Sequence, residues 1–382
     1  MTLTFTGPAP VVGDEQPRWL RAAQDQQAVD ALLARVLEQA RGHALAFGPE
    51  YGLVWSELAR SVRGGKRFRS AIVLGTHAAL SGSHDDAAVA VAAGFELLHT
   101  AFLVHDDLID HDWVRRGEPN LAATMRATSV AGGSEPAPAQ EWSEAAAVLA
   151  GDLALSRAHR LVAGVDVVAA RREQLLDLLD ETLLVSAGGE LADTAYGLGL
   201  RVPTLDQALL VCESKTAMYS FRAPLRAGAI LAGASQRTQA ELDHVGRLLG
   251  RAFQLVDDLL GVFAPEESIG KSNISDLREG KHTALILHAQ ALPVWQDVAD
   301  GFGDPDLDRT RADAIRVALA GSAAPGLVEQ HVRADLAEVA SRCDEDVLGP
   351  DLCAFVRTIA DRVAGALDDV VGHVEAVRCA AA

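Results

Sequence analysis

Apolar residues recur every three or four positions along most of this chain, which is the spacing of a buried helix face. The pattern predicts helical segments over 26–60, 87–112, 143–163, 171–196, 205–231, 236–263 and 281–297, and further helices from 310 onward. Pro224 should kink the helix over 205–231, because proline removes a backbone hydrogen bond. The alternation of apolar and polar residues that marks strands is scarce. The sequence therefore predicts an all-α protein.

Proline, glycine and polar residues interrupt this pattern at two places. Residues 1–25 are predicted to form a flexible N-terminal arm, and 128–140 a mobile surface loop. No internal break resembles a linker between domains. Residues 26–382 are therefore expected to form a single domain, a bundle of long helices whose interior is open to a ligand.

Composition narrows the possible partners and compartments. The formal charge of −19 disfavours nucleic acid and anionic lipid as partners. The longest apolar run, Ala87 to Phe95, is far shorter than the roughly 20 residues that span a membrane. The four cysteines form no CxxC pair, and the N-terminus lacks a signal-peptide pattern. We expect a cytoplasmic protein with no membrane span and no nucleic-acid partner.

The first candidate site is the run Asp106-Asp107-Leu108-Ile109-Asp110. On a helix, Asp106 and Asp110 lie on the same face, where two carboxylates repel each other unless a cation binds. Magnesium suits such oxygen ligands and joins them to phosphates. Arg115 and Arg116 follow closely, and arginine is a bidentate partner of phosphate. The spacing predicts a site for a metal and a diphosphate.

A second acidic pair, Asp257 and Asp258, ends the apolar run of another predicted helix. Lys271 and Lys281 follow it and offer positive charge to a phosphate. Lys215 and Thr216 lie in a further apolar helix, where a buried lysine needs an aspartate or a diphosphate as its partner. Two acidic pairs about 150 residues apart make the metal interpretation much stronger than one alone.

A third cluster is the run Gly64-Gly65-Lys66-Arg67-Phe68-Arg69. Its two glycines allow the backbone to approach an anion, and three cations lie beside them. His99 lies two turns before Asp106 on the same helix face. On its own, such a histidine is more often a core residue, and such a cluster can be a basic helix start on the surface.

In this order, these motifs resemble the trans-prenyltransferases, the polyprenyl synthetase family, and among them bacterial geranylgeranyl diphosphate synthases. The resemblance covers roughly residues 26–290 and also includes the runs GGELAD at 188–193 and DLREGKHT at 276–283. It implies the isoprenoid synthase fold, a helical bundle around a deep central cavity, a homodimer and three Mg²⁺ ions. One departure is Gly261, which stands where many members carry the third aspartate of the second motif.

The resemblance and the charges together imply a head-to-tail condensation of isopentenyl diphosphate with an allylic diphosphate. Asp106, Asp110 and Asp257 would hold Mg²⁺, and Arg115, Lys215 and Lys281 would neutralise the allylic diphosphate. Isopentenyl diphosphate would lie on Lys66, Arg69, His99 and Arg116, while Gln254 and Thr216 would face the carbocation. The remaining candidate site residues are Arg67, Asp107, Asp258 and Lys271.

Product length and catalytic competence each leave more than one interpretation open. In the family, bulk just before the first motif shortens the product, and here Phe102 is large while Ala101 is small, with Leu98 one turn deeper. This combination favours geranylgeranyl diphosphate as the product, with farnesyl diphosphate as the second candidate. A class I terpene cyclase and a non-catalytic partner subunit of a heteromeric prenyltransferase are the two competing activities.

Overall fold

The structure, a computed structural model, describes residues 16–24, 26–83, 85–265, 274–343 and 346–380. Within this part of the chain, helices dominate and the strands are confined to one two-stranded hairpin. The chain divides into two compact units, each described by itself. The first includes the described residues up to Leu179 together with Pro224–Ser235, and the second comprises Asp180–Ala223 and the chain from Gln236 onward. The single-domain organisation stays a prediction.

The elements up to residue 197 include the first acidic motif and the basic cluster. They are α1 Arg18–Gln24, α2 Gln27–Ala44, a short 3-10 helix Leu45–Phe47, α3 Pro49–Val62, α4 Phe68–Ala79, α5 Asp85–Ile109, β1 Val114–Arg115, β2 Glu118–Pro119, α6 Leu121–Ala131, α7 Pro136–Ala163 and α8 Ala169–Gly197.

The elements after residue 197 include the second acidic motif. They are α9 Leu205–Val211, a π-helix Cys212–Arg222, α10 Ala223–Ala232, α11 Gln236–Phe263, α12 Ser275–Arg278, α13 Ala284–Gln290, α14 Trp295–Val298, α15 Arg309–Gly321, α16 Ala324–Arg342 and α17 Pro350–Ala380.

Each unit has its own apolar core. Trp55, Ile72 and Leu97 are completely or almost completely buried in the first unit, and Phe221, Phe263 and Phe355 in the second. Among the described residues, α5 is the one helix that is long and apolar enough to cross a membrane, but 72% of its apolar window is buried inside the structure. That burial is typical of a core helix, because such a helix is covered by protein on most of its sides.

Two predicted irregular segments are shorter than expected. Residues 18–24 of the predicted arm form α1, which packs on α4 and buries Trp19 and Ala23. Residues 1–15 and 25 lie outside the described part. The predicted loop over 128–140 narrows to 132–135, because α6 continues to Ala131 and α7 begins at Pro136. Proline is favoured in the first turn of a helix, where its missing N–H is not needed.

The helix predicted over 205–231 differs from a kinked α-helix, because its middle is a helix of another type. Its middle, Cys212–Arg222, is a π-helix that ends just before Pro224. Proline cannot donate to the carbonyl four residues earlier, so the regular hydrogen-bond ladder is interrupted at this point. π-Helical segments are frequent at functional sites, and this one carries Lys215 and Thr216.

Candidate functional site

The first acidic motif lies at the C-terminal end of α5, as predicted. Asp110 follows Asp106 by one helical turn, and its backbone N–H donates to the Asp106 carbonyl at 2.8 Å. Asp106 and Asp110 are both partly exposed, whereas Asp107 is buried. The motif therefore presents two accessible carboxylates and keeps its remaining one inside the protein.

A tight hairpin returns the chain to this motif. β1 and β2 pair Arg115 with Glu118, and the turn residues Arg116 and Gly117 have φ angles of 56° and 76°. Positive φ at both central residues is the requirement of the commonest two-residue hairpin turn. The hairpin thereby places two consecutive arginines within the first unit, next to the end of α5.

Arg115 contacts the carboxylates of the motif. Its Nε donates to Asp107 Oδ1 at 2.7 Å, and its Nη2 lies 3.6 Å from Asp106 Oδ2. Burial raises the pKa of Asp107, and the paired guanidinium opposes that rise. The structure thus gives Arg115 a protein partner that the sequence did not indicate, and its contact with a diphosphate stays a prediction.

A group of cations surrounds His99 in the first unit. Burial and the neighbouring charges hold the pKa of His99 well below its usual 6.5, and those charges are Arg69, Arg115, Arg116 and Arg67. Partial burial and the charge of Arg116 also lower the pKa of Lys66. These cations, together with the neutral imidazole of His99, form a positively charged surface that suits a phosphate. The structure therefore brings together the four residues predicted to bind isopentenyl diphosphate.

Arg67 differs from the other cations of its cluster. It adopts a positive φ of 51° just before α4, and its side chain is only 11% exposed. Its Nε donates to Asp30 at 2.7 Å, and its Nη1 lies 3.5 Å from Glu96. Glu96 also accepts from the backbone N–H of Ser70 at 3.0 Å. Arg67 therefore anchors the start of α4. The feature of the sequence that could have indicated this role is Glu96, an acidic residue inside an otherwise apolar helix.

In the second unit, α11 and the π-helix approach each other at glycines. A Cβ on Gly250 would lie 2.2 Å from the Cβ of Ala217, and one on Gly246 would lie 2.7 Å from the Cα of Arg222. Such distances are possible only because glycine has no side chain. Gln254 and Asp258 continue the same row along α11 at intervals of four residues.

This close approach forms a chain of hydrogen bonds. The Thr216 hydroxyl donates to Gln254 Oε1 at 2.7 Å, and Gln254 Nε2 donates to Asp258 Oδ1 at 2.7 Å. Burial raises the pKa of Asp258 to about 8, the bond from Gln254 opposes the rise, and the charges of Asp276 and Asp257 add to it. A cation nearby would favour the charged form of Asp258. The metal ligand predicted for this motif is its neighbour Asp257, and that assignment stays a prediction.

Lys215 has carboxylate partners within the second unit. Its Nζ lies 3.0 Å from Glu190 and 2.8 Å from Asp193. A Cβ on Gly189 would lie 2.5 Å from the backbone nitrogen of Lys215, so this glycine allows α8 to pack against the π-helix. The run GGELAD contains Glu190 and Asp193, and their contact with Lys215 gives these two acids a role that the sequence alone does not indicate.

The other predicted residues have varied surroundings. Lys281 lies 2.9 Å from Glu279 and 3.9 Å from Asp276, while Lys271 lies outside the described residues. Of the predicted chain-length residues, Leu98 and Ala101 are completely buried and Phe102 is partly exposed. Phe102 is therefore the one of the three whose side chain has appreciable accessible surface.

The acidic residues suit magnesium in their donor chemistry. Both motifs offer carboxylate oxygens, the ligands that Mg²⁺ prefers together with water and substrate phosphates. Within the described ranges, no group of three or more histidine, cysteine, aspartate or glutamate side chains is already arranged to hold a metal. Carboxylate oxygens of this kind fit a magnesium ion that completes its coordination with substrate phosphates.

Comparisons with known sequences match the family that the motifs resemble. The family model for polyprenyl synthetase matches residues 56–296. A geranylgeranyl diphosphate synthase of Methanosarcina mazei is 34% identical over 68% of this chain and 74% of its own length. A (2E,6E)-farnesyl diphosphate synthase of Mycobacterium tuberculosis is 38% identical over 66% of this chain and 62% of its own length.

A solved structure of a similar protein supports the predicted fold. It is the geranylgeranyl pyrophosphate synthase of Corynebacterium glutamicum in complex with isoprenyl diphosphate and magnesium. Its TM-score is 0.82 at 26% identity, covering 90% of this chain and 98% of that one. The predicted all-α fold of the isoprenoid synthase type is thereby confirmed.

Proposed function

Because this chain belongs to the polyprenyl synthetase family, we propose that it condenses isopentenyl diphosphate head to tail with an allylic prenyl diphosphate. Its relatives are prenyl diphosphate synthases, and the chain is a transferase of that class. The observation that carries the proposal is the pairing of charges in the first unit. Accessible carboxylates end α5, and a cationic surface lies around the neutral His99 two turns earlier on the same helix.

Isopentenyl diphosphate would bind the cationic surface. Lys66, Arg69 and Arg116 would compensate the negative charge of its diphosphate, and His99 would act as a neutral hydrogen-bonding group. Burial and the surrounding arginines support this protonation state, because they keep the pKa of His99 well below neutral pH. The positive φ of Arg116 and its bond from Nη1 to the Arg63 carbonyl at 3.0 Å orient its side chain toward the glycines of the cluster.

The allylic diphosphate would bind through a metal. Asp106, Asp110 and Asp257 are the proposed ligands, and magnesium is the proposed metal, since a structural relative holds it together with an isoprenyl diphosphate. When bound, magnesium withdraws charge from a diphosphate leaving group and so favours ionisation of the allylic C–O bond. The number of ions, three, rests on the resemblance to the family.

The π-helix would stabilise the developing carbocation. The Thr216 hydroxyl and the Gln254 carbonyl oxygen are bonded to each other at 2.7 Å, so their dipoles are fixed before substrate binds. Fixed dipoles stabilise a developing charge without reorganising during the reaction. Lys215, held by Glu190 and Asp193, would help to compensate the departing diphosphate.

Geranylgeranyl diphosphate is the proposed product, with farnesyl diphosphate as the second candidate. The partly exposed ring of Phe102, one turn before Asp106, would limit the growing chain. Ala101 and Leu98 are completely buried, so bulk added there would have to displace packed atoms. Phe102 is accordingly the side chain on which product length should depend most.

Product analysis tests the proposal. The purified protein should be incubated with Mg²⁺, isopentenyl diphosphate and, in turn, dimethylallyl, geranyl or farnesyl diphosphate. We expect diphosphate release that needs both substrates, and a C20 product. Phe102→Ala should lengthen the product, whereas Val104→Ala, a buried control on the opposite side of α5, should not.

The outcomes separate the candidate activities. Diphosphate release without isopentenyl diphosphate would favour a terpene cyclase. No release with any primer would favour a non-catalytic subunit. A C15 product would favour farnesyl diphosphate synthesis, and unchanged products in Phe102→Ala would remove the support for Phe102 as the floor.

A homodimer is the proposed assembly. Leu184 and Leu191 lie seven residues apart on α8, Leu198 follows directly after its end, and the three are 74%, 73% and 70% exposed. A row of exposed leucines at this spacing is typical of a helix that packs against another helix. Light scattering should give twice the mass of the chain, and Leu191→Glu should reduce it.

A further inference from the structure

An ion-pair network with no role in the proposed mechanism lies beside the π-helix in the second unit. Arg251 of α11 donates from Nη1 to Glu213 Oε1 at 2.8 Å, and Arg247, one turn earlier, donates to the same oxygen at 2.9 Å. Arg251 also forms a two-bond pair with Asp335 of α16, from Nε to Oδ2 at 2.8 Å and from Nη2 to Oδ1. One guanidinium therefore joins the π-helix, α11 and α16.

The carboxylates of this network are largely withdrawn from water. The side chain of Asp335 is 5% exposed, that of Glu213 is 15% exposed, and that of Arg251 is 22% exposed. Hydrogen bonding to Asp335 raises the pKa of Arg251, so the guanidinium stays charged. A buried ion pair adds little net stability, because the cost of removing two charges from water offsets their attraction. Its two-bond geometry fixes the direction of the guanidinium, so the network is better suited to holding a position than to stabilising the fold.

The two arginines follow directly after the glycines at which α11 touches the π-helix. Arg247 follows Gly246, and one turn later Arg251 follows Gly250 in the same way. Glycine allows the two backbones to approach closely, but it offers no side chain that interlocks with the other helix. The bonds from both arginines to Glu213 supply that missing constraint, because they hold one point of the π-helix against α11.

Glu213 lies in the same π-helix as two groups that the proposed function assigns to the reaction. Lys215 follows it by two residues and Thr216 by three. The Thr216 hydroxyl donates to Gln254 of α11 at 2.7 Å. A displacement of the π-helix by about 1 Å would lengthen this bond to about 3.7 Å, beyond hydrogen-bond range. The register of the two helices therefore decides whether this bond forms.

We propose that Glu213 is a positioning residue for the condensation. By accepting from Arg247 and Arg251, it keeps the register of the π-helix against α11 and so the places of Lys215 and Thr216. This role rests on the proposed function, because it requires that these two side chains serve the reaction. The proposed site for isopentenyl diphosphate lies in the first unit, so loss of Glu213 should lower kcat and leave the KM for that substrate unchanged.

Steady-state kinetics of diphosphate release with Mg²⁺, isopentenyl diphosphate and geranyl diphosphate test this role. Glu213→Ala should lower kcat about 10- to 100-fold, because a displacement of about 1 Å can cost that much. The KM for isopentenyl diphosphate should stay unchanged. Glu213→Gln keeps one acceptor oxygen, so it should fold even where the alanine variant does not, and it should show an intermediate kcat.

Glu241→Ala is the matched control. Glu241 of α11 pairs with Arg342 of α16, and its side chain is 15% exposed, as is that of Glu213. This control should keep a normal kcat even if its melting temperature falls as far as that of Glu213→Ala. A double-variant cycle adds a second readout. In a Thr216→Val protein, Glu213→Ala should lower kcat by a smaller factor than in the unmodified protein, because the hydroxyl that Glu213 positions is already gone.

Four results would overturn the positioning role. They are an unchanged kcat in both Glu213 variants, an equal loss of kcat in Glu241→Ala, the same factor in the Thr216→Val protein, and a KM for isopentenyl diphosphate that rises as much as kcat falls. Each of them leaves the proposed function intact, since the unmodified protein would still release diphosphate. Failure of the unmodified protein to release diphosphate would overturn the proposed function, and the role of Glu213 with it.

Discussion

Gly250 should be intolerant of even one added methyl group. In Gly250→Ala the new Cβ would lie 2.2 Å from the Cβ of Ala217 and 2.4 Å from its Cα. Non-bonded carbons prefer about 3.5–4.0 Å, so α11 and the π-helix must separate by at least roughly 1.3 Å. The contact between these two elements is therefore the part of the second unit that this substitution strains.

The separation has a cost in stability and a cost in activity. A shift of this size would stretch the 2.7 Å bond between Thr216 and Gln254 to about 4 Å, beyond hydrogen-bond range. Overpacking costs about 1–3 kcal/mol and the lost bond about 1 kcal/mol more. We expect the free energy of unfolding to fall by about 2–4 kcal/mol. Turnover should fall about 100-fold, since a displacement of about 1 Å can cost that much.

Gly365→Ala is the matched control. Gly365 lies inside α17 of the same unit, and a Cβ there would meet nothing within 4 Å. Alanine should stabilise this helix by about 0.5–1 kcal/mol, because it loses less backbone entropy than glycine. Urea unfolding at one fixed protein concentration gives both free energies. A Gly250→Ala protein that is as stable as the control, or that keeps normal turnover, would refute the reasoning.

Three further predictions concern charged groups. Asp106→Ala or Asp257→Ala should lower turnover by several orders of magnitude and leave circular dichroism unchanged; near-normal rates would contradict the metal assignment. Lys66→Ala and Arg69→Ala should raise the KM for isopentenyl diphosphate far more than the KM for the allylic primer. Equal rises of the two KM values in steady-state kinetics would show that these residues do not bind isopentenyl diphosphate. The pKa of His99 lies well below 6.5 in the folded protein, so below that pH the unfolded chain binds a proton that the folded one does not. Stability should therefore fall as the pH drops below 6.5, and His99→Gln should remove up to about 1.4 kcal/mol per pH unit of this slope in urea unfolding.

The sequence predicted those parts of the molecule that depend on local patterns. The first acidic motif was predicted at the end of a helix over 87–112 and lies at the end of Asp85–Ile109. The helix over 236–263 was predicted with the bounds that the structure has. In both cases the apolar spacing and the paired acids lie within one helix, so no distant contact is needed to recognise them.

The partners of the charged residues could not be predicted in the same way. Lys215 pairs with Glu190 and Asp193, more than 20 positions earlier, and Arg67 pairs with Asp30 and Glu96. Such pairs depend on how helices pack, and sequence spacing does not determine that. The π-helix was missed for a related reason, because the effect of Pro224 on the preceding turns depends on what packs against them.

These ion-pair partners show that the cations of the cluster 64–69 do not all have the same role. In the cluster 64–69, Arg67 is 11% exposed and paired with two carboxylates, whereas Lys66 is exposed. Two carboxylates beside one largely buried guanidinium leave it little capacity to bind a phosphate, because its charge is already compensated. Arg67 instead holds the start of α4 against α2 and α5, and this anchoring positions Arg69 two residues later. Lys66 and Arg69 are therefore the residues of this cluster on which diphosphate binding should depend, and Arg67 contributes by shaping the segment that carries them.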